Sequence, residues 1–286
     1  MKNNNFYILI PFLIIASLLS SCRVERDIAR EFVQQDNNIA ILLLADSVLY
    51  KTNDKVKRIP DFDSMNFDMQ DSIWAANSVY LDSVNDKKLI NNLFSCLKNE
   101  LEYYEFKIYT DKNKKDFEAL NSGYIFKVSQ VELEEDKYTY RDQYSFPNND
   151  TLIYYKDHEI NKYDLNCWFE LTPKDTTTEK KRLFYNSFSI EDKLDGSFFK
   201  NASNTVKYKY HIFPVVLNDI YYLSTHSGNK NSNFLFNYFM NMYIRENMPK
   251  GFNAEGYYSL DPVTGYIHVD DEENNDNSFY EIQKDF

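Results

Sequence analysis

The chain has 286 residues, with 32 Lys and Arg against 44 Asp and Glu, and its formal net charge is -12. This acidic balance argues against nucleic acid and anionic lipid headgroups as partners, because each of them is bound by a basic surface. Hydrophobic residues make up 43% of the chain and aromatic residues 17%, which excludes a disordered protein and predicts an aromatic-rich core.

The amino end has the pattern of an export signal. Lys2 is followed by an apolar run over residues 6–19 and then by Ser20, Ser21 and Cys22. As a helix the run would measure about 21 Å, whereas the hydrocarbon core of a bilayer is about 30 Å thick. A positive end, a short apolar segment and small residues before a cleavage site are typical of a secretory signal peptide.

The sequence Leu19-Ser20-Ser21-Cys22 resembles the lipobox of bacterial lipoproteins. The resemblance implies that residues 1–21 are a signal peptide and that Cys22 becomes the first residue, carrying palmitate and further acyl chains. The mature protein would then be tethered to a membrane, outside the cytoplasm. An aspartate directly after the cysteine resembles the inner-membrane retention signal of some Gram-negative lipoproteins. Arg23 occupies that position here, which favours the outer membrane, on either its periplasmic or its surface face. A secreted protein with a chance cysteine is the alternative.

The mature chain is predicted to have three parts. Residues 22–38 are charged and predict a tether, with a short helical segment at 28–33. Residues 39–269 are predicted to form a single globular domain. Residues 270–286 are predicted to be an acidic, solvated tail.

The first half of the domain is predicted to alternate strands and helices. The aliphatic run at 39–44 indicates a strand buried on both faces, and the polar stretch at 52–68, with Pro60, indicates a long loop. Apolar residues at three- and four-residue steps predict a helix at 87–105. The remaining predicted elements are a helix at 74–81, a strand at 106–109, a helix at 116–120 and a strand at 124–133.

After these elements the hydrophobic period changes to two. Alternation at 163–171, 184–190 and 206–212 predicts an antiparallel meander, with turns at 173–178 and at Asp195-Gly196. The predicted fold class is therefore α/β (α+β). It has a single mixed sheet with an early strand-helix-strand part, an antiparallel meander and a long C-terminal helix.

The predicted C-terminal helix, at 233–248, is apolar around most of its circumference. Its polar positions recur every four residues, and we expect this narrow stripe to face water: Asn233, Asn237, Asn241 and Arg245. A helix with so little polar surface must be covered on two sides, either by its own domain or by a partner. If a partner covers it, Phe236 and Tyr243 are candidate contact residues. A hairpin is expected at 257–269.

The sequence offers no recognised catalytic, cofactor or metal pattern. His226 lies in Thr225-His226-Ser227-Gly228, which we interpret as a turn between helices rather than a reactive cluster. Asp61 and Asp63 lack the spacing of a calcium loop. No catalytic residue, metal site or cofactor is predicted, and an enzyme is the less favoured interpretation.

Two cysteines remain after Cys22. The compartment permits a disulfide between Cys96 and Cys167. However, Cys96 borders the apolar stripe of its predicted helix, and Cys167 alternates with apolar residues of its predicted strand. Free buried thiols are favoured over the disulfide.

A triplet of Asp, then Ser or Thr, then an aliphatic residue, Met or Thr recurs along the chain. It resembles the O-glycosylation acceptor of exported proteins in one Gram-negative lineage. Asp-Ser before an apolar residue also marks helix starts, since both side chains cap, and the two interpretations stand side by side. The possible acceptors are Ser47, Ser64, Ser72, Ser83, Thr151 and Thr176.

The order of elements resembles accessory lipoproteins that serve outer-membrane secretion and assembly machines, including the curli-secretion type. This resemblance implies a non-enzymatic lipoprotein that binds an envelope protein partner. The alternative is a surface lipoprotein that binds or degrades carbohydrate, since an aromatic-rich chain can offer Tyr or Trp platforms.

Overall fold

The structure is a computed structural model that describes residues 24–35, 38–45, 48–146, 153–175, 181–270 and 278–282. The helices are α1 (24–34), α2 (Asp54–Lys57), α3 (Phe67–Asn77), α4 (Asp86–Tyr103), α5 (Lys114–Glu118) and α6 (Leu217–Asn247). The strands are β1 (Ala40–Ala45), β2 (Leu49–Asn53), β3 (Lys107–Tyr109), β4 (Tyr124–Tyr144), β5 (Tyr154–Pro173), β6 (Arg182–Glu191), β7 (Lys193–Lys200), β8 (Val206–Phe213), β9 (Tyr257–Leu260), β10 (Ile267–Asp270) and β11 (Tyr280–Glu281).

The main sheet is mixed, and the predicted α+β class with a long C-terminal helix is confirmed. Its strand order is β11-β6-β5-β4-β1-β3, with β2 also paired to β4. β1 is parallel to β3 and β4, whereas β4, β5, β6 and β11 form an antiparallel series. β1 and β2 follow each other along one edge of β4, on either side of a bulge between Val128 and Gln130. Two further ribbons, β7–β8 and β9–β10, stand apart from this sheet.

Helices α4 and α6 pack closely against each other over the sheet. The predicted apolar face of α4 is buried: Leu89, Ile90, Leu93, Leu97 and Leu101. Opposite it, α6 presents Gly228, where a Cβ would lie 2.6 Å from the carbonyl oxygen of Leu93 and 2.8 Å from Cys96 Cβ. The absence of a side chain therefore allows the helix backbones to approach. The segment expected to be a turn at 225–228 is instead the middle of a 31-residue helix.

The asparagine stripe of α6 is buried, contrary to the expectation that it faces water. Asn241 accepts from Tyr258 N at 2.8 Å and donates to Tyr258 O at 2.7 Å. Asn237 accepts from Leu260 N at 2.9 Å, and Asn233 donates to Leu260 O at 3.0 Å. Four helical residues rise about 6.0 Å and two strand residues about 6.7 Å, so the amides match the repeat of β9. The stripe thus satisfies the open edge of the β9–β10 ribbon.

Helix α1 belongs to the packed domain, although the sequence predicted a tether there. Phe32 is 2% exposed, and its ring centroid lies 5.4 Å from those of both Phe236 and Tyr243. Glu25 is 1% exposed and accepts hydrogen bonds from Glu255 N at 2.9 Å and from the Tyr258 hydroxyl at 2.7 Å. The charged composition of α1 did not indicate that the helix is packed, because its one buried carboxylate, Glu25, depends on hydrogen bonds to residues far along the chain.

Other boundaries also differ from the sequence predictions. The expected loop at 52–68 contains the end of β2, all of α2 and the start of α3. The expected helix at 74–81 is shifted, because α3 ends at Asn77. Asp195-Gly196 lies inside β7 rather than in a turn. Part of the expected solvated tail packs on the sheet, since Phe279 is 9% exposed and β11 pairs with β6.

Candidate functional site

The free end of the β4–β5 hairpin and the β7–β8 ribbon project beyond the main sheet and together form an arm. β5 pairs with β6 only over residues 162–171, and β4 pairs with β2 only as far as Glu135. The pairing of β4 with β5 continues past these points until Tyr144 lies opposite Tyr154. We define the arm as this free hairpin and the β7–β8 ribbon that packs on it: residues 137–146, 153–161 and 193–213.

A line of hydrogen bonds joins the facing sides of the two ribbons. The Tyr208 hydroxyl donates to Asp142 Oδ2 at 2.7 Å and lies 3.0 Å from His158 Nε2. Gly196 makes room for this line, because a Cβ there would collide with the Tyr208 hydroxyl and the Asp142 carboxylate. Burial, and then the Asp142 carboxylate, raise the pKa of Tyr208. The phenol therefore stays protonated and serves as a donor that fastens one ribbon to the other.

The interior of the arm is lined by aromatic rings. The ring centroids of Phe198 and Tyr208 are 4.5 Å apart, those of Phe146 and Tyr154 are 5.7 Å apart, and Tyr154 lies 6.5 Å from Phe198. Tilted and edge-to-face contacts of this kind stabilise beyond the area that they bury. Tyr210, at the margin of the same layer, is 51% exposed. The arm therefore combines a small aromatic core with accessible rings.

The outer face of the β4–β5 hairpin carries charges that neutralise one another. Arg141 binds both carboxylate oxygens of Asp157, at 2.7 and 2.9 Å, and lies 4.4 Å above the ring centroid of Tyr155. Lys137 forms an ion pair with Glu159, which lies diagonally across the hairpin from it. These pairs leave no strong net charge on this side of the arm.

A cleft of about 510 Å³ lies at the base of the arm. Tyr138 and Tyr140 line it beside the carboxylates of Asp142 and Glu191. The Tyr138 hydroxyl donates to Glu191 Oε2 at 2.8 Å, and burial together with this carboxylate raises the pKa of Tyr138 to about 12. The cleft offers two phenol rings, carboxylates and the ammonium group of Lys193 to a ligand.

The arm lies at the opposite end of α6 from the start of the described chain. Glu25, at the start of α1, contacts Tyr258, whose backbone binds Asn241. At the other end, Asp192 accepts from Val215 N at 2.8 Å, two residues before α6 begins. Between Leu217 and Asn241 the helix rises about 36 Å.

The arm then continues away from that end of α6. Along β6 the ring contacts of α6 pass from Tyr238, at Phe184, to Phe234, at Phe188, so α6 runs antiparallel to β6. β5 is antiparallel to β6 as well, and its first residues therefore extend past the N-terminal end of α6. The arm therefore extends beyond the end of α6 that lies away from α1.

A second cavity, of about 550 Å³, lies between α4, α6 and the β9–β10 ribbon. Its lining includes Glu100, His226, Lys230, Asp261 and His268. Burial, and then the positive charge of Lys230, lower the pKa of His226. Among the residues that the structure describes, no group of three His, Cys, Asp or Glu side chains is arranged to hold a metal ion.

Several residues singled out in the sequence lie outside the described residues. These are Cys22, Ser47, Thr151 and Thr176. Ser64, Ser72 and Ser83 are exposed, and the hydroxyls of Ser64 and Ser72 each donate to a nearby carbonyl oxygen, at 2.8 Å from Asp61 O and Asp68 O. The three serines are accessible and are not brought together with the arm.

The two candidate contact residues on α6 have different environments. Phe236 is 3% exposed and stacks on Tyr104 with centroids 4.5 Å apart, so it belongs to the core. Tyr243 is partly exposed, and its hydroxyl donates to Glu31 Oε1 at 3.1 Å. The second apolar side of α6 is covered by α1, which the sequence did not predict as part of the domain.

Both described cysteines are free, as favoured from the sequence. Cys167 is completely buried, and burial raises the pKa of its thiol to about 12. Its sulfur lies 3.8 Å from the Ser227 hydroxyl. A thiol of this kind is a poor nucleophile, because the reactive species is the thiolate.

The arm was not predicted from the sequence, because the strand predicted at 124–133 ends eleven residues before β4 does. A signal for the longer hairpin was nevertheless present. Tyr138, Tyr140 and Tyr144 fall at every second position or a multiple of it, with polar residues between them. Such a period-two pattern predicts a strand.

No protein-family model matches the chain, and no curated protein matches it in sequence. Among solved structures, it is similar to the crystal structure of a homologue of the neuraminyllactose-binding hemagglutinin from Helicobacter pylori, with 11% identity. The alignment covers 75% of this chain and 91% of that chain, with a TM-score of 0.29. A TM-score this low carries no information about the ligand. No described helix is long and apolar enough to cross a membrane.

Proposed function

We propose that this chain is a lipid-anchored protein of the outer membrane, attached through Cys22, that binds another component of the cell envelope without catalysis. The position of the arm carries the proposal. Cys22 precedes the first described residue by two positions, so the anchor lies within about 7 Å of α1 along the chain. The arm stands at the other end of α6 and extends beyond it. A tether at one end therefore presents the arm away from the membrane that holds it.

The anchor is tested by metabolic labelling with a fatty acid that carries an alkyne reporter. The wild-type chain should incorporate the label and sediment with membranes, whereas Cys22→Ser should remain unlabelled. Equal labelling of both proteins would remove the lipoprotein part of the proposal.

The binding part is tested by photo-crosslinking in intact cells. Benzoylphenylalanine at Tyr210, on the arm, should give a discrete adduct. The matched control is Tyr103, at the end of α4, which is 73% exposed and lies away from the arm. Adducts at both positions or only at Tyr103 would show that the arm is not the contact surface.

A surface protein that binds or degrades carbohydrate is the second candidate, and the cleft at the base of the arm favours it. Tyr140 is 44% exposed beside Asp142 and Glu191, and sugars bind to accessible aromatic rings with nearby carboxylates. An oligosaccharide array should then show a ligand that Tyr140→Ala loses. Release of reducing ends, abolished by Glu191→Gln, would make the protein a hydrolase rather than a binding protein.

A further inference from the structure

The outer face of the β7–β8 ribbon differs in charge from the outer face of the β4–β5 hairpin. Strand alternation and register place eight residues on this face, and all of them are exposed. Three are lysines, one is histidine and one is aspartate, on a chain whose formal net charge is -12. The residues are Lys193, Asp195, Ser197, Phe199, Lys207, Lys209, His211 and Phe213.

The lysines of this face lack the partners that neutralise the opposite face. Across the arm, Lys137 pairs with Glu159 and Arg141 with Asp157. No carboxylate among the described residues forms an ion pair with Lys193, Lys207 or Lys209. The face therefore carries three lysines against the single carboxylate of Asp195, and this excess of positive charge favours an anionic ligand in spite of the acidic character of the whole chain.

Two accessible aromatic rings flank the lysines. Phe199, opposite Lys207, is 43% exposed, and Phe213, opposite Lys193, is 53% exposed. The two cross-strand pairs lie at opposite ends of the face, so each end combines a cation with a ring. A sugar ring carries C–H groups that pack on an aromatic face, while a carboxylate or sulfate on the same sugar can meet a lysine.

The size of the face favours a linear polymer over a folded protein. Its two strands make the face about 10 Å wide, and because each strand has eight residues the face is about 26 Å long. Its area is therefore roughly 260 Å². A stable complex between folded proteins covers about 800 Å² on each partner. Anionic lipid headgroups fit the charge, but the arm lies at the far end of α6 from the proposed anchor.

We propose that the outer face of the β7–β8 ribbon binds an extended anionic polysaccharide. The lysines bind its acidic groups, and Phe199 and Phe213 contact its sugar rings. The orientation of the arm away from the membrane depends on the proposed anchor, whereas the charge and the shape of the face do not.

The test measures binding of the purified full-length protein, in neutral detergent, to polygalacturonate and dextran sulfate at low salt. Neutral dextran, polyglutamate and phosphatidylglycerol vesicles serve as comparison probes. We expect the anionic polysaccharides to bind, neutral dextran to fail, and affinity to fall as salt rises. Lys207→Gln with Lys209→Gln should weaken binding at least about 10-fold, because it removes two of the three lysines that would bind acidic groups.

The control Lys137→Gln removes a lysine from the neutral face and should leave binding unchanged. Phe199→Ser with Phe213→Ser should weaken polygalacturonate binding and leave polyglutamate binding unaffected. Circular dichroism melting checks that each variant folds. Failure of both acidic polysaccharides to bind overturns the proposal. So does equal binding of polyglutamate, which indicates an acidic peptide site, or preferential binding to vesicles. Fatty-acid labelling of Cys22 is scored separately, so loss of the anchor and loss of this site are distinguishable.

Discussion

Substitution of Asn241 by alanine tests whether the asparagine stripe of α6 holds the β9–β10 ribbon. Asn241 is 4% exposed and makes both hydrogen bonds to the backbone of Tyr258, which is fully buried. Removing the amide leaves one N–H and one C=O unpaired, at about 1–3 kcal/mol each. The higher helix propensity of alanine returns about 0.5 kcal/mol. The expected loss in the free energy of unfolding is about 2–5 kcal/mol, a large share of a typical 5–15 kcal/mol.

Urea unfolding followed by circular dichroism measures this loss. The matched control is Asn229→Ala, the same substitution on the same helix at an exposed position, which should change stability by less than about 0.5 kcal/mol. Hydrogen exchange at the amide of Tyr258 gives a local readout, because its protection depends on Asn241. If Asn241→Ala costs no more than Asn229→Ala, water replaces the amide and the side-chain ladder does not stabilise the ribbon.

Three further predictions follow from the environments of individual side chains. Phe236→Asp should unfold the domain in a thermal melt, because it places an unpaired carboxylate in the core, whereas Tyr243→Asp should lower the midpoint much less; a stable Phe236→Asp would contradict the core assignment. The pKa of His226 is lowered in the folded state, so unfolding takes up a proton at acidic pH. Stability should therefore fall as the pH drops through about 6.5, and in His226→Gln the fall between about pH 7 and about pH 5 should be smaller. If the serines of the Asp-Ser triplets are glycosylated, the intact mass from the native host should exceed the lipidated mass by glycan-sized steps, and changing Ser47, Ser64, Ser72 and Ser83 together should reduce it; lipid mass alone would show that these triplets are not acceptors in that host.

The best-predicted elements are those in which burial follows one regular pattern. The apolar positions of α4 recur at three- and four-residue steps, and all five of its buried leucine and isoleucine side chains face α6 and the sheet. The aliphatic run of β1 is buried on both faces of the sheet, because Ile41 and Leu43 belong to the main core and Leu42 packs with Phe117 of α5 on the other face. In both cases the period of the sequence and the geometry of the element agree, so local information is sufficient.

Prediction failed where a polar residue finds its partner far away in the chain. Glu135 is 2% exposed, yet it accepts hydrogen bonds from Ser78 Oγ at 3.0 Å, Val79 N at 2.8 Å and the Tyr163 hydroxyl at 2.9 Å. These bonds fasten the segment after α3 to the sheet. The same segment was predicted with the wrong boundaries, because its position depends on contacts that sequence spacing does not encode.

The sequence by itself determined the fold class and the apolar face of α4, because each depends on residues that are near one another in the chain. The lipidation motif that ends at Cys22 is equally local, and it stays a prediction. Tertiary structure alone decided which polar residues are buried. Asn241 looks like a surface residue in the sequence, and its burial depends on Tyr258, which approaches it only after the chain has turned back. The same holds for the arm, whose two ribbons are joined by the contact of Asp142 with Tyr208, 66 residues later. A polar side chain is stable inside a protein when its hydrogen bonds are made there, and only the folded chain brings those partners together.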